Sequence, residues 1–69
     1  MMDFQVKGEF IDLDNLLKAT NLAASGGEAK KYILAGSVKV NGQIEIRIRR
    51  KLRPGDSVEF DKHQIGIVA

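Results

Sequence analysis

The sequence has 69 residues, 43% of them hydrophobic and 29% charged, with no cysteine and a net charge of +2. A chain this short lies near the lower limit for one unaided hydrophobic core, and without cysteine neither a disulfide framework nor a thiolate metal site is open to it. No apolar run approaches the roughly 18 residues that cross a bilayer and no charged-then-apolar leader is present, so a cytoplasmic single domain over residues 1–69, without membrane contact, is expected.

The opening MDFQVKGEF alternates loosely and reads as a short strand. In IDLDNLLKATNLA, Leu13, Leu16, Leu17 and Thr20 recur at helical spacing, with Asp12 as N-cap and Asp14 in the first turn, where the helix dipole favours a negative charge. A second helix starts at Ser25, whose pairing with Glu28 three residues on is a capping box. Its Ala29, Tyr32, Ile33 and Gly36 share one face, turning Lys31 directly outward and Lys30 to the shoulder, and Gly36 terminates it. Two short helices joined by so few residues pack at an angle.

After Gly36 the period changes from helical to two. Val38 and Val40 flank Lys39, Asn41-Gly42 is a strong hairpin turn, and Ile44, Ile46 and Ile48 alternate with Glu45, Arg47 and Arg49. A strict two-residue turn would set Lys39 opposite Ile44 and mix the faces. A bulge at Gln43 instead pairs Val40 with Ile44 and Val38 with Ile46, bringing every aliphatic inward, and this register is expected. Pro54-Gly55 then forms a turn, a strand runs through Val58 and Phe60, and HQIGIVA is a last strand turned back at Asp61 and Lys62. The expected fold is α+β, two short packed helices against a small, mostly antiparallel sheet. Its core is Leu13, Leu16, Leu17, Leu22, Ala29, Ile33, Val38, Val40, Ile46, Val58, Phe60 and Ile67.

The charges are segregated along this plan. Residues 30–53 carry eight basic side chains and one acid, a local charge of +7, whereas residues 1–29 carry two basic and five acidic and residues 54–69 one basic and three acidic. Such sorting builds a field and points to an anionic partner. On an extended segment Arg47 and Arg49 would stand about 6.6 Å apart, close to the phosphate spacing of a nucleic-acid strand, with Arg50, Lys51 and Arg53 following. Neither Arg47 nor Arg49 has an evident acidic partner, and they carry this expectation furthest. Gly26 and Gly27 open the second helix although glycine is a poor helix former. Without side chains they let a phosphate approach the free N–H groups of the helix start, beside Ser25. The plainer reading is a tight helix-helix turn.

The order LDNLLKATNLAASGGEAKKYILAGSVKVNGQIEIRIRRKLRPGDSVEF resembles the RNA-binding domain named after the fourth protein of the small ribosomal subunit, the S-four domain, over about residues 12–60. The residues that carry the resemblance are Leu16 and Leu17, Ser25, Ala29, Lys30, Lys31, Gly36, Val38, Val40, Asn41, Gly42, Pro54, Gly55 and Asp56. Most members have Arg after the helix-opening Ser. Gly26 here is more similar to the small stand-alone bacterial branch. The resemblance implies an RNA-facing surface on the second helix and the hairpin after it, with Ser25, Lys30, Lys31, Lys39 and Asn41 as contacts. Charge and parity add Arg47, Arg49, Arg50 and Lys51, and the helix-start argument adds Gly26. Each has a plainer role: Lys31 pairing with Glu28, Lys39 with Glu45, and Asn41 serving only its backbone turn.

No catalytic set is visible. His63, the single histidine, stands alone near a turn, Asp12 and Asp14 read as helix-start residues, and no phosphate-loop motif occurs. With 6% aromatics and Tyr32 assigned to the core, base stacking is not expected. The sequence therefore predicts a monomeric, non-enzymatic module, without metal, cofactor or small-molecule substrate, that binds structured RNA through its phosphates. The resemblance implies ribosomal RNA. An adaptor docking an acidic protein through the same face, with Leu34 as a hot spot, stays open, as does duplex DNA.

Overall fold

The computed structural model describes residues 2–69 and contains strands β1 Met2–Gln5 and β2 Ile11–Asp12, helices α1 Leu13–Ala19 and α2 Gly26–Leu34, then β3 Val38–Val40, β4 Gln43–Ile44, β5 Lys51–Leu52, β6 Ser57–Phe60 and β7 His63–Val68. The fold is α+β. Five strands form a mixed sheet in the order β1-β7-β6-β3-β4, in which only β1 and β7 run parallel, and β2 and β5 form a separate antiparallel pair.

Residue period decides which face of the sheet meets the helices. Val38, Val40, Val58, Ile65 and Ile67 point inward onto Leu13, Leu16, Leu17, Ala29 and Ile33, while Lys39, Glu59 and Gln64 stand side by side on the opposite face. Val6, Ala23, Leu52 and Ile65 join this core although the sequence pattern did not mark them. Leu22 and Phe60 are half-buried at its margin, and Phe60 lies 4.7 Å from the Tyr32 ring, centroid to centroid.

Both helices end as local chemistry dictates. Gly36 adopts φ +78°, and the N–H groups of Gly36 and Ser37 donate to the carbonyls of Ile33 and Tyr32, a complete Schellman cap. Asn21, at φ 62°, performs the same service for α1, with Asn21 and Leu22 donating to Lys18 and Leu17. Ser25 Oγ accepts from the Glu28 N–H at 3.2 Å, while the Glu28 carboxylate accepts from Ala24, one residue earlier than a standard capping box. Asp12 occupies the N-cap of α1 but its side chain makes no capping bond. Instead the N–H groups of Leu13 and Asp14 donate to the carbonyls of Arg50 and Ile48, which ties the basic segment to the start of this helix.

The hairpin register differs from the expected one. Lys39 pairs with Ile44 and Val40 with Gln43 across a two-residue turn in which Asn41 (φ 52°) and Gly42 (φ 84°) are both left-handed. That is the primed turn whose twist matches the strands, and it fixes the register against the aliphatic pattern. Ile46 is consequently 60% exposed instead of forming core, and Ile44 is 61% exposed. Glu45 takes the inward position, its N–H donating to the Val38 carbonyl, and the strand stops there.

Candidate nucleic-acid interface

Glu45 explains the geometry of the basic segment. It is 7% exposed and cannot stay charged without partners. The Arg47 guanidinium grips it through two bonds of 3.0 and 2.9 Å, the Arg47 N–H adds a third at 3.0 Å, and Arg50 Nη1 donates at 2.7 Å. The bonds from Arg47 and Arg50, against the opposing effect of burial, hold the Glu45 carboxyl at a pKa of about 2. The chain curls back over this carboxylate, the Arg50 N–H meeting the Arg47 carbonyl at 3.3 Å. Arg47 and Arg49 thus sit on a turn, not on the extended strand expected for them, and Arg47 has the acidic partner that the sequence did not reveal. Among the described residues Arg49 forms no ion pair.

The curled segment and the strand after it enclose a surface hollow of about 400 Å³ lined by Arg47, Arg49, Arg50, Lys51 and Arg53. Beyond it, Asp56 accepts from the Arg53 N–H at 2.9 Å and from Asn41 Nδ2 at 3.0 Å, and these bonds hold its carboxyl below the usual range. Asn41 Oδ1 in turn accepts from Ser57 N–H at 2.9 Å. The Asn41 side chain is spent on joining two turns.

The remaining basic residues fall elsewhere. Lys39 projects from the sheet face turned away from the helices, beside Glu59 and Ile44, so the layer order separates it from Lys30 and Lys31 on α2. Lys31 forms no ion pair with Glu28 among the described residues; Glu28 accepts from Tyr32 Oη instead. At the start of α2, a Cβ on Gly26 would meet nothing closer than Lys18 Nζ at 3.9 Å, and one on Gly27 nothing closer than Ser25 Oγ at 3.9 Å. Packing does not demand these glycines. Their N–H groups have no carbonyl one turn back to accept from them. Lys30 lies one turn beyond Gly26, and Lys18 reaches this end from the last turn of α1. Lys18 escaped the sequence reading because it lies outside the basic block, and only the packing of α1 on α2 brings it here.

Phe10 escaped it too. The residue is 38% exposed, with Lys51 Nζ 5.0 Å and Arg53 Cζ 5.9 Å from the ring centroid. The pairing of Ile11 with Leu52 and Asp12 with Lys51 is what sets it there. Among the described residues no group of His, Cys, Asp or Glu side chains is placed to hold a metal ion, and no helix is long and apolar enough to cross a membrane.

A helix pair on a mixed sheet, with five cations around one hollow, defines a small α+β module with a concentrated cationic surface. The S4 domain model matches residues 4–68, and the chain belongs to the S4 domain family, the one its sequence resembles. It is 40% identical over 63 residues, covering 91% of this chain and 90% of the relative, to the Escherichia coli K12 protein named "Putative RNA-binding protein YbcJ". The Shigella flexneri protein named "Uncharacterized protein YbcJ" matches to the same extent. The solution structure of YbcJ from E. coli, described as revealing an alfaL motif involved in RNA-binding, superposes with a TM-score of 0.76 at 38% identity, covering 100% of this chain and 89% of that one.

Proposed function

We propose that this chain is a non-enzymatic, cytoplasmic RNA-binding module that holds structured RNA, ribosomal RNA first among the candidates, by its phosphate backbone. Family membership and the RNA-binding name of the E. coli relative support an RNA partner. The observation that carries the mechanism is the hollow walled by Arg47, Arg49, Arg50, Lys51 and Arg53, of which Arg47 and Arg50 form ion pairs with Glu45. Arginine forks take phosphate oxygens in pairs, and A-form RNA, whose deep major groove excludes side chains, offers phosphates and minor-groove 2′-hydroxyls. Ribosomal RNA is favoured by the sequence resemblance.

Fluorescence anisotropy against a folded ribosomal RNA junction and a DNA duplex of equal charge, at several salt concentrations, tests this reading. Four to six phosphate contacts give a slope of log K on log salt of roughly −3 to −5. Arg49→Gln, which breaks no ion pair, is expected to flatten that slope by about 1. A slope near zero would refute backbone binding. A second reading, an adaptor for an acidic protein, is favoured by the exposed Leu34, Ile44 and Ile46. It requires RNA and DNA to bind weakly and alike.

A further inference from the structure

Phe10 is the one large aromatic ring that the fold leaves outside both the core and its margin. It borders a second hollow, of about 430 Å³, lined by Phe4, Gln5, Val6, Lys7, Phe10 and Ile11, while Lys51 and Arg53, which lie over its ring, line the cationic hollow. The ring therefore stands where an apolar hollow meets a cationic one. One side suits the flat, weakly polar face of a nucleobase; the other suits the phosphates on either side of it.

We infer that Phe10 and Arg53 form a seat for a single unpaired base of the bound RNA, with the flanking phosphates in the cationic hollow; this rests on the RNA reading above. Every base has a π-face, so stacking on an aromatic ring needs no particular sequence. The Arg53 guanidinium is itself a planar stacking surface. A base between two planes needs two steps of about 3.4 Å, and the 5.9 Å from Arg53 Cζ to the ring centroid, an upper limit to the gap between the planes, falls short by about 1 Å or more. An exposed arginine side chain opens that gap by a small swing. Lys51 moves with it from the ring toward a phosphate, exchanging a cation–π contact for a charged hydrogen bond. Extracting a paired base costs a few kcal/mol of stacking and pairing, whereas a bulged base is already free. The seat thus selects for bulges and junctions over continuous duplex.

Anisotropy titrations of the whole chain with an RNA duplex carrying one bulged nucleotide, and with the same duplex fully paired, test the seat. The bulged RNA is expected to bind roughly 5- to 150-fold tighter, the range that stacking one base supplies. Phe10→Leu, which keeps an apolar side chain at the site, should abolish that preference, and Phe10→Tyr should retain it. Equal binding of the two RNAs by the parent chain, or a preference that survives Phe10→Leu, would overturn the seat and leave backbone binding standing. Failure to bind either RNA at low salt would overturn both.

Discussion

Glu45 is the one acid among residues 30–53 and the only buried charged side chain among the described residues. A hydrogen-bonded carboxylate of this kind contributes to stability through its protonation equilibrium. Its folded pKa, about 2, lies below the ordinary 4.5, so its contribution is complete above about pH 4.5 and fades as the pH falls toward 2. Glu45→Gln keeps the shape but loses the charged bonds to Arg47 and Arg50, and is expected to destabilise the chain by about 2 kcal/mol at pH 7. Denaturant titrations of both proteins across this range check the sign: the gap should be widest at neutral pH and narrow toward pH 2. A gap independent of pH would mean that the charge of Glu45 contributes nothing. Arg49, by contrast, has no such task and is free to meet a phosphate.

At the scale of elements, what was legible in the sequence had local causes. The Ser25 cap, the Gly36 terminator, the Pro54-Gly55 turn and the Asp61-Lys62 return are set by residues within a few positions of one another, and the structure contains them all. The β3–β4 register was misjudged because two local rules conflicted. Asn41-Gly42 demanded a two-residue turn and the isoleucines demanded the other parity. The turn prevailed because an inward Glu45 finds arginines two and five residues on. The parallel β1–β7 pair and the two-residue strands β2 and β5 had no legible signal, since each is fixed by distant partners, and with them went Phe10 and the shape of the cationic hollow. Asn41 tests the difference between a turn residue and an RNA contact. Asn41→Ala removes the bonds to Asp56 and Ser57 at a left-handed position, so thermal melting should report a loss of about 1–2 kcal/mol. The affinity for RNA should not change beyond what the lost stability explains. A weakened affinity with unchanged melting would make Asn41 a contact.

Over the whole molecule the cations do not form one stripe: two groups flank α1, and Lys39 stands apart on the outer face of the sheet. Arg47 to Arg53 lie at the N-terminal end of α1, held there by the bonds from Leu13 and Asp14 to the segment's carbonyls, whereas Lys18, in the last turn of α1, reaches Gly26 at the start of α2, with Lys30 one turn further along α2. Seven residues of helix put about 10 Å between those ends. If one RNA engages both groups, the salt slope must depend on RNA length, because a short duplex covers one group at a time and releases the counterions of that group alone. The longest dimension of the chain is 28 Å, roughly ten base pairs of A-form duplex, whose rise per pair is shorter than that of B-form DNA. Duplex RNAs of four, eight, twelve and sixteen base pairs, titrated at several salt concentrations, should therefore show a slope that steepens up to about ten base pairs and then levels. Groups this far apart act additively, so Lys18→Ala with Lys30→Ala should flatten the long-duplex slope by about 2 and Arg49→Gln by a further 1. A slope already level at four base pairs, with Lys18 and Lys30 silent, would confine binding to the segment built on Glu45.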